Sequence, residues 1–300
     1  MLPLLTTLTP IAALVLGMFC FLMRIYKRDD QPAWLDTCDR YFLLCLGVAS
    51  LMIKGVEWTL TMATGGLLVI YLLLRLFGLH ANTSSNYSKI TKEYVWLFFA
   101  IWLVRSFLVQ PYRVPSGSLE PTVYPGDFLL VNQFKYGLRF PVWNKELLPI
   151  DTPKRGDIAV FHYPKDPDTL FVKRVIGEPG DHISYHHKKL LINGKEVTRS
   201  YVNDAKTIDN PSSVELWDED LLGLSHQIYV NPNLDYRDDV DVVVPEDHYF
   251  VMGDNRDGSH DSRHWGFVSR SHLVGKAMFV WMSVDDVNWR IRLDRIGKWL

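Results

Sequence analysis

The chain has 300 residues, 48% of them hydrophobic and 22% charged, with a net charge of −2. That composition excludes a disordered chain, a collagen-like repeat and a Cys-rich scaffold, and it offers no basic surplus for nucleic acid. The mean hydropathy of −0.01 averages two unlike halves.

Residues 1–110 carry 9 Lys/Arg and 6 Asp/Glu, most of them in short clusters. Leu4–Met23 is a run of 20 uncharged residues, long enough to cross a bilayer. A second run, Gly55–Leu74, is interrupted only by Glu57, and a third, from Tyr94 to Val109, only by Arg105. Between the first and second runs, Arg40–Ile53 is read as a further span, the alternative being a re-entrant or surface segment. Transmembrane α-helices are therefore expected near 4–23, 41–54, 56–79 and 94–109, forming a membrane anchor over 1–110. Arg24, Lys27, Arg28 and Arg40 follow the first run, whereas a cleaved signal peptide carries its charges before the apolar stretch. Positive residues favour the cytoplasmic side, which puts 24–40 and 80–93 inside and brings the chain out on the far face near Val109. The three cysteines, Cys20, Cys38 and Cys45, all fall in this half, so the remainder has no disulfide framework.

From residue 111 the pattern changes to short strands closed by turns. Pro125-Gly126 precedes Phe128–Val131, Arg155-Gly156 precedes Ile158–Phe161, and Pro179-Gly180 precedes His182–Tyr185. Asn193-Gly194 between two apolar stretches is a strong hairpin signal. Tyr249–Met252 and Ala277–Met282 read as further strands. Trp289, Ile291 and Leu293 alternate with Arg290, Arg292 and Asp294, as a half-buried strand would. Residues 200–240, acidic and turn-rich, read as loop rather than core. The fold class expected for 111–300 is an antiparallel all-β barrel or sandwich without long helices. No metal site is expected, because the histidines, His260 and His264 among them, lack the cysteines or helix that would set ligand spacing.

Two segments bear on chemistry. In Val114-Pro115-Ser116-Gly117-Ser118, an extended backbone points Val114, Ser116 and Ser118 the same way. Two hydroxyls beside a glycine suit a nucleophile with an oxyanion partner; the plain alternative is a Ser/Gly/Pro connector. In Leu170–Ile176, Lys173 shares a strand face with Phe171 and Val175. Burial there favours a neutral amine able to act as a general base; the plain alternative is a lysine whose head reaches water from an edge strand.

Taken in order, Arg105-Ser106-Phe107, Pro115-Ser116-Gly117-Ser118, Lys154–Phe161, Lys173-Arg174 and Gly253-Asp254-Asn255-Arg256-Asp257 are similar to the boxes of bacterial type I signal peptidases. The resemblance spans most of 105–300. It implies a Ser–Lys serine protease that cuts N-terminal signal peptides from exported preproteins after an Ala-x-Ala-type motif, with no cofactor. On that resemblance Ser118 matches the nucleophile and Lys173 the general base. The Ser118 N–H and the Ser116 hydroxyl match the oxyanion hole, and Ser259 the residue that orients the lysine. Asp254, Asp261, Arg263 and Arg174 match the supporting charges. Tyr112, Val114, Leu119 and Val172 match the substrate pockets. It further implies an all-β catalytic domain with a β subdomain inserted near 182–245. The implied partners are the lipid bilayer and preprotein signal peptides. The implied location is the bacterial inner (cytoplasmic) membrane, multi-pass, with the catalytic domain on the outer, periplasmic face. The chain departs from the family in the added apolar stretch 41–80 and in Gln110-Pro111 before the first pocket position. Its insertion is also short and lacks the cysteine pair of some relatives. A self-cleaving repressor-type protease, which shares the dyad, carries a DNA-binding domain where this chain has apolar spans. A catalytically decayed, membrane-anchored β domain is the non-enzymatic alternative.

Overall fold

Short apolar runs closed by glycine turns pair here into antiparallel sheets. The computed structural model describes residues 108–139, 145–207, 213–234, 239–285 and 288–300, with a few positions between 96 and 104. The expected spans at 4–23, 41–54 and 56–79 lie outside the described residues, as does most of 94–109. Among the described residues no helix is long and apolar enough to cross a membrane. The chain divides into two units, Met1–Leu103 and Val104–Leu300, and every described strand belongs to the second.

The main sheet runs, in spatial order, Val109–Arg113, Asp127–Asn132, Leu273–Asp285, Ile158–Tyr163, Asp166–Gly177, His248–Met252 and Val268–Ser269, with Arg290–Ile291 added beside Leu273–Asp285. Leu273–Asp285 pairs with Asp127–Asn132 on one side and Ile158–Tyr163 on the other. Pairing of Val109 with Asn132 makes Val109 the first residue of the sheet.

Between Gly177 and His248 the chain leaves this sheet and builds two smaller ones. Val240–Val243, His182–His186, Lys189–Ile192 and Lys195–Glu196 form a four-stranded sheet. Its hairpin turns at Asn193 (φ 53°) and Gly194 (φ 76°), both in the left-handed region a tight two-residue turn requires. The second is a three-stranded sheet of Thr198–Lys206, Ser213–Asp220 and Ser225–Val230. The reading of 200–240 as loop is thereby corrected. Most of its described acidic residues lie on strands, and Val214, Glu219 and Ile228 are buried.

Three apolar clusters hold the unit together. Leu129, Val131, Ile158 and Val160 form one, with Val114, Leu119 and Val123 dropping into it from the first loop. Phe161, Val175, Tyr249 and Val251 form another. Ile176, Phe250 and Met252 join Ile183, Ile192 and Leu221, tying the smaller sheets to the main one. Each fully buried aliphatic side chain of this kind contributes roughly 1.5–3 kcal/mol.

The expected half-buried strand over 289–293 is also corrected. Only Arg290–Ile291 is strand, and Trp289, Ile291 and Leu293 are exposed. Arg290 is exposed as well, whereas Arg292 and Arg295 turn inward. Arg295 binds the buried Asp127 carboxylate (2.6 and 3.0 Å) and the Thr122 carbonyl (3.1 Å). Arg292 donates to Ser283 Oγ (2.8 Å) and to the Pro125 carbonyl. A buried aspartate demanded cations, and that demand outweighed the apolar alternation.

Candidate active site

The Ser-Gly-Ser segment lies in the loop between the paired strands Val109–Arg113 and Asp127–Asn132. Prolines at 115 and 121 stiffen that loop. Ser116 is extended (φ −139°, ψ 156°) and precedes a 3₁₀ turn over Gly117–Leu119. Val114 and Leu119 are anchored in the core, which holds Ser118 half-exposed between them. Ser116 is exposed and makes no side-chain capping bond. Tyr112 and Val172 lie half-buried at the edge of the same apolar cluster.

Lys173 comes from the neighbouring part of the sheet. It pairs with Ala159, and Arg174 pairs with Ile158 on one side and Met252 on the other. The Lys173 side chain is buried, its Nζ hydrogen-bonded to Ser118 Oγ and 5.6 Å from the Phe171 ring centre. Desolvation lowers its pKa to about 8, against the pull of Asp261 and Asp254 and with the help of Arg263.

The segment after His248–Met252 closes the site from the other side. Because Met252 lies opposite Arg174, Asp254 emerges beside the Arg174 guanidinium. The Asn255 N–H donates to the Ser118 carbonyl (3.1 Å), and Asn255 Nδ2 donates to the Gly117 carbonyl (3.1 Å). A Cβ on Gly253 would lie 2.3 Å from the Ser118 carbonyl oxygen and 2.3 Å from Ser259 Oγ, so this approach needs glycine. Ser259 Oγ is buried and has no hydrogen-bond partner among the described residues, Lys173 included.

Behind the pair stands a buried ionic layer. Asp254 accepts from Arg174 Nε (2.8 Å) and Nη2 (2.7 Å) and from Thr122 Oγ1 (2.5 Å). Asp261 accepts from the Gly253 N–H (3.0 Å) and from Arg263 Nε (2.8 Å) and Nη2 (2.9 Å). Arg256 forks onto Glu219, with Nη1 2.8 Å from Oε1. Burial raises each of these carboxyls, yet the arginines and hydrogen bonds overcome it and hold all three below the usual range, Glu219 at about 2. Bidentate, charge-assisted bonds offset the cost of desolvating such groups.

The candidate site residues, all of them described, therefore lie in or around one locality, and Arg105-Ser106-Phe107 lie outside the described residues. Ser118 bonds to Lys173, Asp254 to Arg174 and Asp261 to Arg263. Ser116 and Ser259 make no side-chain bond to the pair. Sequence reasoning missed Glu219, which carried no motif, and assigned no role to Thr122, Asn255 or Arg256 within theirs. Among the described residues no cluster of His, Cys, Asp and Glu has metal-holding geometry.

The model of the family described as signal peptidase, peptidase S26, matches residues 87–282, about two thirds of the chain. Signal peptidase I of Pseudomonas fluorescens is 43% identical over 206 residues, covering 64% of this chain and 71% of that protein. The Pseudomonas aeruginosa signal peptidase I is 42% identical over 208 residues, covering 65% and 72%. That of Buchnera aphidicola from Acyrthosiphon pisum is 36% identical over 246 residues, covering 67% and 78%. The chain belongs to the signal peptidase family, peptidase S26, and is a serine endopeptidase.

Proposed function

We propose that the protein removes N-terminal signal peptides from exported preproteins, cutting after an Ala-x-Ala-type motif with Ser118 as nucleophile and Lys173 as general base. The observation that carries this reading is the hydrogen bond between a buried Lys173 amine and Ser118 Oγ. A lysine with a pKa of about 8 is partly neutral near neutral pH, and a neutral amine has the lone pair to take the serine proton.

In the reaction, Ser118 Oγ attacks the scissile carbonyl and passes its proton to Lys173 Nζ. The Ser118 N–H and the Ser116 hydroxyl donate to the oxyanion; Ser116, exposed and uncommitted to a cap, is free to turn toward it. The lysine ammonium then protonates the departing amine, leaving an acyl ester on Ser118. Water, deprotonated by the same lysine, releases the signal peptide. Ser259 Oγ, buried with an unused hydrogen-bonding capacity, is the hydroxyl that orients the amine when substrate is bound. Tyr112 and Val172 present the accessible edge of pockets for small side chains, with Val114 and Leu119 beneath them. Asp254, Asp261, Arg174 and Arg263 keep the frame rigid.

The anchor is proposed to cross the bacterial cytoplasmic membrane four times, leaving residues 111–300 on the outer face. A reporter fused after residue 300 is then exported; a cytoplasmic reporter overturns both the span count and the site of action. For the chemistry, Ser118→Ala is expected to lower the cleavage rate of an Ala-x-Ala precursor by several powers of ten. Near-normal cleavage by that variant rejects the assignment.

A further inference from the structure

We propose that His226, on the three-stranded sheet, is a positioning residue for the Ser118–Lys173 pair, acting through Asp254. The inference rests on the Ser–Lys reading above and extends it to the part of the chain between Gly177 and His248.

The strand Ser225–Val230 lies against the segment that clamps Ser118. The Tyr229 N–H donates to the Asp254 carbonyl (2.9 Å), and the Asn231 N–H donates to Asp257 Oδ2 (2.7 Å). From this strand the His226 side chain, 8% exposed, reaches in between two carboxylates. Its Nε2 is 3.3 Å from Glu219 Oε2 and 3.9 Å from Asp254 Oδ1. The atom is fully buried and makes no well-aligned hydrogen bond, lying nearer Glu219 than Asp254. An imidazole nitrogen facing two carboxylates with its lone pair would repel both, so the surroundings select the tautomer with hydrogen on Nε2. The proposed steps of the reaction make no use of this residue.

The charges explain why it matters. Arg174, Arg256 and Arg263 face Asp254, Glu219 and Asp261, so the layer is balanced when Lys173 is neutral. Asp254 and Asp261 both favour the charged form of Lys173, while Arg263 opposes it. An N–H 3.9 Å from Asp254 Oδ1 draws on part of that carboxylate's field even without a hydrogen bond. Without it more of the field falls on Lys173, and the lysine keeps its proton to higher pH. The nearby His260, exposed beside Asp261, also faces Lys173 and is unchanged by the substitutions below.

The test is the pH dependence of kcat and KM for the full chain in detergent, cleaving an Ala-x-Ala precursor. His226→Leu is expected to move the activating limb about half a unit toward alkaline pH. At pH 7 that lowers kcat about threefold with KM unchanged, and the plateau is regained at high pH. His226→Gln, whose amide nitrogen reaches the place of Nε2, is expected to restore the wild-type limb. An unmoved limb in a folded Leu variant overturns the proposal. So does an equal loss in both variants at every pH, or failure of both to fold, since each makes His226 a packing residue only. A wild-type enzyme with no activating limb, or a Ser118→Ala variant that still cleaves, instead rejects the Ser–Lys reading itself, and this one with it.

Discussion

A lysine in water keeps its proton up to about pH 10.4 and is useless as a base at neutral pH. Burial of Lys173 brings that value to about 8. Cleavage is therefore expected to rise with pH along a limb centred near 8, read as kcat/KM. Lys173→Arg leaves a permanent cation and is expected to abolish activity without unfolding the chain. The same burial costs stability, and the sign can be worked out. Below pH 8 the folded and unfolded states both carry the proton, and the penalty for burying the ammonium is constant. Between about 8 and 10.5 the unfolded state binds the extra proton, so wild-type stability rises with pH. Lys173→Met is expected to be inactive yet more stable at pH 7, by on the order of 1–3 kcal/mol. Thermal melts should show that advantage fading as pH rises through the window. Ser116→Ala, by contrast, keeps the Ser118–Lys173 pair and loses the proposed oxyanion donor, an expected fall of roughly 10²–10³ in kcat.

At the level of elements, the segment after His248–Met252 governs the site because its backbone passes within touching distance of Ser118. Gly253→Ala drives a methyl into the Ser118 carbonyl and Ser259 Oγ. A loss of kcat of about 10² or more is expected with the β spectrum retained in circular dichroism, since the clash displaces Ser118, the proposed nucleophile, by a fraction of an ångström. Arg256→Met strands the buried Glu219 carboxylate and is expected to cost about 3–5 kcal/mol in denaturant unfolding. Sequence and structure part company at this same layer. Ser118 and Lys173 meet as their motifs suggest, because a strand face and a Ser-Gly-Ser loop carry local signatures. Glu219 reads as one more acid in an acidic stretch, and nothing near it in sequence announces an arginine 37 positions away. His226 is hidden for the same reason. The alternation at 289–293 misled because Arg292 and Arg295 are summoned inward by Asp127, a partner more than 160 residues earlier. Local pattern reports turns and strand faces; it does not report which buried charge needs which distant partner.

For the whole molecule, the order of strands in the main sheet bears on when the enzyme comes into being. Asp127–Asn132 and Ile158–Tyr163 are close in sequence, yet Leu273–Asp285 stands between them. Ser118 likewise finds its clamp only at Asn255. A chain ended at His272 therefore lacks the strand that joins the halves of the sheet, and it is expected to show neither cleavage nor a cooperative unfolding transition. During synthesis Ser118 leaves the ribosome long before the residues that hold it. Such distant pairings close slowly, after the entropy of long loops has been overcome. The protease thus acquires its activity only after Leu273–Asp285 has been made, and until then a nascent chain carries an inert serine.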